Sequence, residues 1–249
     1  MFPDLLLFVV IGFVAQIIDG AIGMAYGLIS TTVLLSLGVT PSVASASVHA
    51  AEVFTTGASA ISHWHFANLD KRLFWKLAPA GIFGGALGAY VLTAFPGEVI
   101  RPFVTAYLAV MGGVVIWKAL RKGLPQQKQP RGVPLLGLLG GFLDAIGGGG
   151  WGALVASTLV GQGTSARIAI GTTNAAEFLV TLAISATFVV TVGLQLWPII
   201  LGLIFGGIVA APFAAYLARI VPDRPLRIIV GIVIILLSAR EVLRLHGTI

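Results

Sequence analysis

The stretch Gly12 to Ile61 recurs without a gap as Gly137 to Ala186, 125 positions further on. In that register Asp19 falls on Asp144, Gly23 on Gly148, Gly27 on Gly152, Gly38 on Gly163 and Glu52 on Glu177, while His49 falls on Asn174. The matches are the costly residues, acids and glycines set inside apolar runs. A duplicated unit is the first thing to look for in a chain, because it dictates the architecture of the whole. The later parts also correspond: GIFGGALGAY at 81–90 resembles LIFGGIVAAP at 203–212, and Pro96 with Arg101 pairs with Pro222 and Arg227. The chain therefore divides into a first repeat at 1–120, a basic linker at 121–132 and a second repeat at 133–249.

The solvent of this duplicated unit is lipid. Of the 249 residues, 57% are hydrophobic and 10% charged, against about 25% charged in a soluble domain. Apolar segments run over 5–36, 42–62, 74–95, 99–120, 133–160, 168–192, 196–218 and 226–245. Most approach the ~20 residues that cross a bilayer core. The first would reach ~48 Å as one helix, but Gly20, Gly23 and Gly27 interrupt it. Segment 133–160 carries LDAIGGGGWG, with Gly147, Gly148, Gly149 and Gly150 in succession. Each of these glycines costs a continuous helix ~1 kcal/mol relative to Ala. Both segments are predicted to be two half-helices meeting at a break.

If each broken pair dips into the membrane and returns, each repeat adds three full crossings and the two repeats are inverted. Loops 63–76, 121–131, 161–167 and 219–227, with Lys118, then share one side and hold twelve of the fifteen Lys and Arg. The positive-inside rule favours that arrangement and puts the linker in the cytoplasm. The predicted fold is all-α, a polytopic membrane protein of two inverted repeats, each with a glycine-broken, re-entrant-like helix pair plus three membrane-spanning helices. The N-terminal segment reads as a retained helix rather than a signal peptide. The net charge of +6 follows from basic residues in the loops, so no nucleic-acid partner is expected. With no cysteine, disulfides and thiolate metal sites are excluded.

Four carboxylates, Asp19, Glu52, Asp144 and Glu177, lie inside apolar segments. Unpaired in a bilayer, four charges would cost on the order of 10 kcal/mol, so they must be protonated, paired or turned to water. Asp19 and Asp144 precede the breaks, where an Asp can cap the following half-helix or handle protons. A half-helix that starts within the membrane presents free N–H groups and a partial positive charge, a ready anion site. Gly20, Gly23 and Gly147 to Gly150 let a ligand approach that backbone. The breaks of the two halves are expected to face each other near the midplane.

A second cluster is ASASVHAAE at 44–52 with AIGTTNAAE at 169–177. Ser45, His49 and Glu52 share one helical face; Thr173 and Glu177 share another, with Thr172 and Asn174 beside them. Hydroxyl, amide and imidazole groups suit oxyanion oxygens, and a carboxyl beside an imidazole suits proton uptake and release. Gln16 lies one turn before Asp19 and can reach the same cavity. Tyr26 and Trp151 align after the breaks, where they line the cavity or pack. HWH at 63–65 reads as an interfacial belt. No metal site and no cofactor are expected. Nor is an enzyme: the chain has no HExxH and no nucleophile elbow.

DAIGGGGWG at 144–152 with ARIAIGTTN at 166–174, and the degenerate copies DGAIGMAYG and GVTPSVASASVHAAE at 38–52, resemble the sulfite exporter TauE/SafE family, also called the toluene sulfonate uptake permease family. The resemblance covers both halves. It implies a multi-pass carrier of the bacterial inner membrane that exports sulfite, another sulfur oxyanion or an organosulfonate, coupled to protons. The first half departs from the family pattern at MAYG and ASVHAAE. The residues themselves reach as far as an anion carrier with titratable acids working by alternating access. A cation or metal carrier or channel using the same acids is the rival, and a homodimer stays open.

Overall fold

In a computed structural model that describes residues 5–22, 24–65, 67–120, 130–194, 196–220 and 223–245, every element among the described residues is helical. The order is α1 (Leu5–Ile22), α2 (Tyr26–Ser36), α3 (Pro41–His65), α4 (Lys71–Ala94), α5 (Gly97–Leu120), α6 (Val133–Gly147), a π-helical turn (Gly152–Ala156) running into α7 (Ser157–Gly161), α8 (Ala166–Thr191), α9 (Trp197–Ile220) and α10 (Asp223–Leu245). Residues 121–129 of the expected linker lie outside the described residues. By length and composition, Lys71–Ala94, Gly97–Leu120 and Arg167–Thr191 can each cross a membrane. At 24 residues, α5 spans ~36 Å. The outer face is apolar, with Val190 86% and Trp64 74% exposed, as a surface solvated by lipid tails requires.

Both expected breaks are present. α1 stops at Ile22 and helix resumes at Tyr26; α6 stops at Gly147 and helix resumes at Trp151. After α6 the backbone turns left-handed at Gly148 (φ 67°), whose N–H bonds to the Asp144 carbonyl, then runs through Gly149 (φ 151°) and Gly150 (φ 136°). These conformations are open to glycine and strained for other residues. The first half reaches a similar backbone with a different residue. Ala25, which aligns with Gly150, sits at φ 132°. Strain of this kind persists only where the surroundings impose it.

The packing exchanges partners between the halves: α1 lies along α9, α6 along α4, and α3 along α8. Glycine permits the closest of these approaches. A Cβ on Gly12 would come within 2.7 Å of the Leu203 Cα, and one on Gly137 within 2.7 Å of the Leu77 carbonyl oxygen. Without a hydrophobic drive between helices in lipid, such backbone contact is what holds them together.

The half-helices after the two breaks are fastened to opposite ends of α5. At its start, Arg101 donates to the Leu35 carbonyl at the end of α2 (2.8 Å) and pairs with Glu241 of α10 at 2.6 Å. At its far end, Lys118 donates to the Ala153 carbonyl (2.8 Å) and to the Ser157 hydroxyl, beside α7.

Candidate functional site

The two breaks meet. Gly27, in the first turn of α2, packs on Gly149, so that a Cβ on Gly27 would lie 2.6 Å from the Gly149 Cα. Thr31 donates its hydroxyl to the Gly148 carbonyl at 2.6 Å, and Tyr107 of α5 donates to the Gly149 carbonyl at 3.2 Å. Each break is closed by its own aspartate in the same way. Asp19 Oδ1 accepts from the Tyr26 amide at 3.2 Å, and Asp144 Oδ1 from the Trp151 amide at 2.8 Å. Both bonds span seven residues, so the sequence repeat is also a repeat of hydrogen bonds. The amides that open the two half-helices are thus engaged by carboxylates.

The aspartates differ in their surroundings. Asp144 is 1% exposed, and its Oδ2 lies 3.3 Å from His49 Nε2. His49 is itself fixed, with Nδ1 2.8 Å from the Ser45 carbonyl, while Ser45 donates its hydroxyl to the Ala145 carbonyl at 2.6 Å. Ser45, His49 and Asp144 therefore form a closed polar knot that borders neither cavity described below. Asp19 borders both.

A cavity of about 120 Å³ is lined by Gln16, Asp19, Thr55, Thr56, Ser59, His63, Ile170, Asn174 and Glu177. A smaller one of about 20 Å³ adjoins the start of α2, lined among others by Asp19, Tyr26, Gly27, Glu52, Gly150, Asn174 and Glu177. Three residues, Asp19, Asn174 and Glu177, border both. Glu52 is 4% exposed and its Oε2 has no hydrogen-bond partner. Asn174 donates to the Ser59 hydroxyl at 2.7 Å across α3 and α8. Among the described residues, neither cavity has a Lys or Arg in its wall.

Of the residues singled out from the sequence, Asp19, Glu52, Gly150, Asn174 and Glu177 come together on the cavities. Gly148 and Gly149 carry the contact between the breaks, and Gly147 packs against the Tyr107 ring. Gly20 lies in the last turn of α1, and Gly23 lies outside the described residues. Thr172 and Thr173 are turned to structural bonds. The Thr172 hydroxyl accepts from the Asp70 amide at 2.9 Å, and Thr173 bonds the Ala169 carbonyl at 2.8 Å within its own helix. Tyr26 both lines the smaller cavity and donates to the Leu203 carbonyl at 3.0 Å, whereas Trp151 is wholly buried, with Nε1 3.1 Å from the Thr173 carbonyl.

Thr55, Thr56 and Ser59 were not read from the sequence as lining residues, and His63 was read as part of an interfacial belt. The signal was present: Glu52, Thr56, Ser59 and His63 recur at helical spacing along one face of α3. Among the described residues, no group of three or more His, Asp or Glu is placed to hold a metal ion.

Residues 8–240 match the model of a family described as sulfite exporter TauE/SafE. The chain is 41% identical over 249 residues to a probable membrane transporter protein, YtnM, of Bacillus subtilis (strain 168), with 96% of this chain and 83% of the relative covered. No solved structure matches it.

Proposed function

Because the chain belongs to the sulfite exporter TauE/SafE family of membrane transporters, we propose that it carries a small oxyanion, of the sulfite or organosulfonate class, across the bacterial inner membrane by proton-coupled alternating access. The observation that carries this reading is the start of α2. It opens beside a cavity bordered by Asp19, Glu52 and Glu177, with Asn174 as a neutral donor. A helix N-terminus offers an anion partial positive charge. Among the described residues the wall has no Lys or Arg, so an anion there meets carboxylates. Two like charges ~4 Å apart at an effective dielectric constant of 20 repel by ~4 kcal/mol. Protonation of these acids removes that repulsion, which is the physical basis for moving anion and proton together.

The reading includes two inverted repeats, at 1–120 and 133–249, joined through the cytoplasmic linker 121–132. Fastening α2 to the start of α5 and α7 to its far end supports broken pairs that enter from, and return to, opposite faces. The exchanged pairing of α1 with α9 and α6 with α4 supports a two-fold relation between the halves. In this reading the halves rock about the two breaks, and Glu52 and Glu177 are the proton carriers.

One observation favours a second reading. A cavity walled by carboxylates without Lys or Arg suits a cation as its cargo. A competition assay separates the two. Sulfite or methanesulfonate is expected to raise the melting temperature of the detergent-solubilised protein, since a ligand of the native state stabilises it. Stabilisation by divalent cations or Na⁺, with none from the anions, would transfer the proposal to the cation reading.

A further inference from the structure

We propose that the Asp19 carboxylate is a tethered stand-in for the substrate, occupying the α2 N-terminus until an oxyanion displaces it. The proposal rests on the anion reading above and says how one site is emptied and filled. Three observations carry it.

Asp19 Oδ1 holds the Tyr26 amide at 3.2 Å, the place where an anion's oxygen would sit. The bond is long for a charge-assisted one, which falls near 2.7–2.9 Å. Asp19 also borders both cavities, the about 120 Å³ space and the about 20 Å³ space. The smaller space is sized for about one water, so an oxyanion reaches the α2 amides only if the carboxylate leaves. Finally, Glu52 borders that smaller space 4% exposed, with Oε2 unpartnered. A buried acceptor without a donor is costly, and an incoming hydrogen-bearing oxyanion, or a proton carried with it, supplies that donor.

The second copy of the same bond lacks this freedom. Asp144 borders neither cavity, lies 3.3 Å from His49 Nε2 and holds the Trp151 amide at 2.8 Å. The duplicated caps have thus taken different roles: Asp144 fixes its break, and Asp19 gates its own. Among the described residues, the titratable groups around Asp19 are Tyr26 from α2, Glu52 and His63 from α3 and Glu177 from α8. None is a lysine or arginine able to hold the displaced carboxylate as an ion. Displacement therefore goes with protonation of Asp19, and anion binding is expected to tighten as pH falls.

The test is titration calorimetry of the full-length protein in detergent, with sulfite and methanesulfonate as probes. Removing a competing carboxylate should make Asp19→Ala bind the probes on the order of tenfold tighter than wild type, the equivalent of one hydrogen bond to a charged group. It should also weaken the pH dependence of binding, leaving the part that Glu52 and Glu177 contribute. If Asp19→Ala does not fold, Asp19→Asn decides, because its amide oxygen still accepts from Tyr26 without the charge; tighter binding with a weaker pH dependence is again expected. Unchanged or weaker binding in the variant that folds, while wild type binds normally, overturns the proposal and leaves Asp19 as a cap. Wild type that binds neither probe removes the anion reading on which the proposal rests.

Discussion

Asp144→Ala is expected to destroy transport and to lower stability by ~1–3 kcal/mol, the cost of leaving a buried donor without its acceptor. The carboxylate accepts from the Trp151 amide at 2.8 Å and lies 3.3 Å from His49 Nε2. Alanine leaves the Trp151 amide without its acceptor and His49 without its neighbour, and both residues are wholly buried. The break between α6 and α7 loses its cap, and the contact of Gly149 with Gly27 loses its support. Thermal unfolding in detergent and flux in proteoliposomes check the two parts separately. A variant that melts and transports like wild type would show that the break is held by the glycine backbone alone.

Gly149→Ala is expected to be at least as severe. Two independent costs add. The residue sits at φ 151°, where an L side chain is strained, by ~1–3 kcal/mol. The new Cβ would also collide with the backbone of Gly27 and Leu28, which cannot rotate away; overpacking of this kind adds ~1–3 kcal/mol. Gly113→Ala is the control. It lies within α5 with open space where a Cβ would go, and is expected to leave melting and flux unchanged. Equal behaviour of the two variants would contradict the close approach of the breaks.

The repeat made much of this arrangement legible. Asp19 and Asp144 could be read as caps because an acid stood before each glycine break in the same register. The hydrogen bonds to Tyr26 and Trp151 follow that register. The breaks were legible because four consecutive glycines cannot continue a helix cheaply. The asymmetry was not. Nothing local to Asp19 or Asp144 distinguishes them; the difference comes from His49, where the second copy has Asn174, and from which helices pack alongside. The roles of Thr172 and Thr173 were equally hidden, since a hydroxyl's partner depends on the neighbouring helix end that tertiary packing brings to it. His63 read as interfacial from its aromatic neighbour Trp64, yet the period of α3 turns it to the cavity and leaves Trp64 outside. The link from Arg101 to Glu241 joins residues 140 positions apart, and no local pattern announces it.

Flux of labelled sulfite and methanesulfonate into liposomes containing the purified protein, with and without an imposed pH gradient, tests the central claim most directly. The account predicts anion movement above that of empty liposomes, faster when protons run in the same direction, with the acceleration lost in Glu52→Gln. Movement of a metal cation in place of these anions, or anion flux indifferent to the gradient, would contradict it.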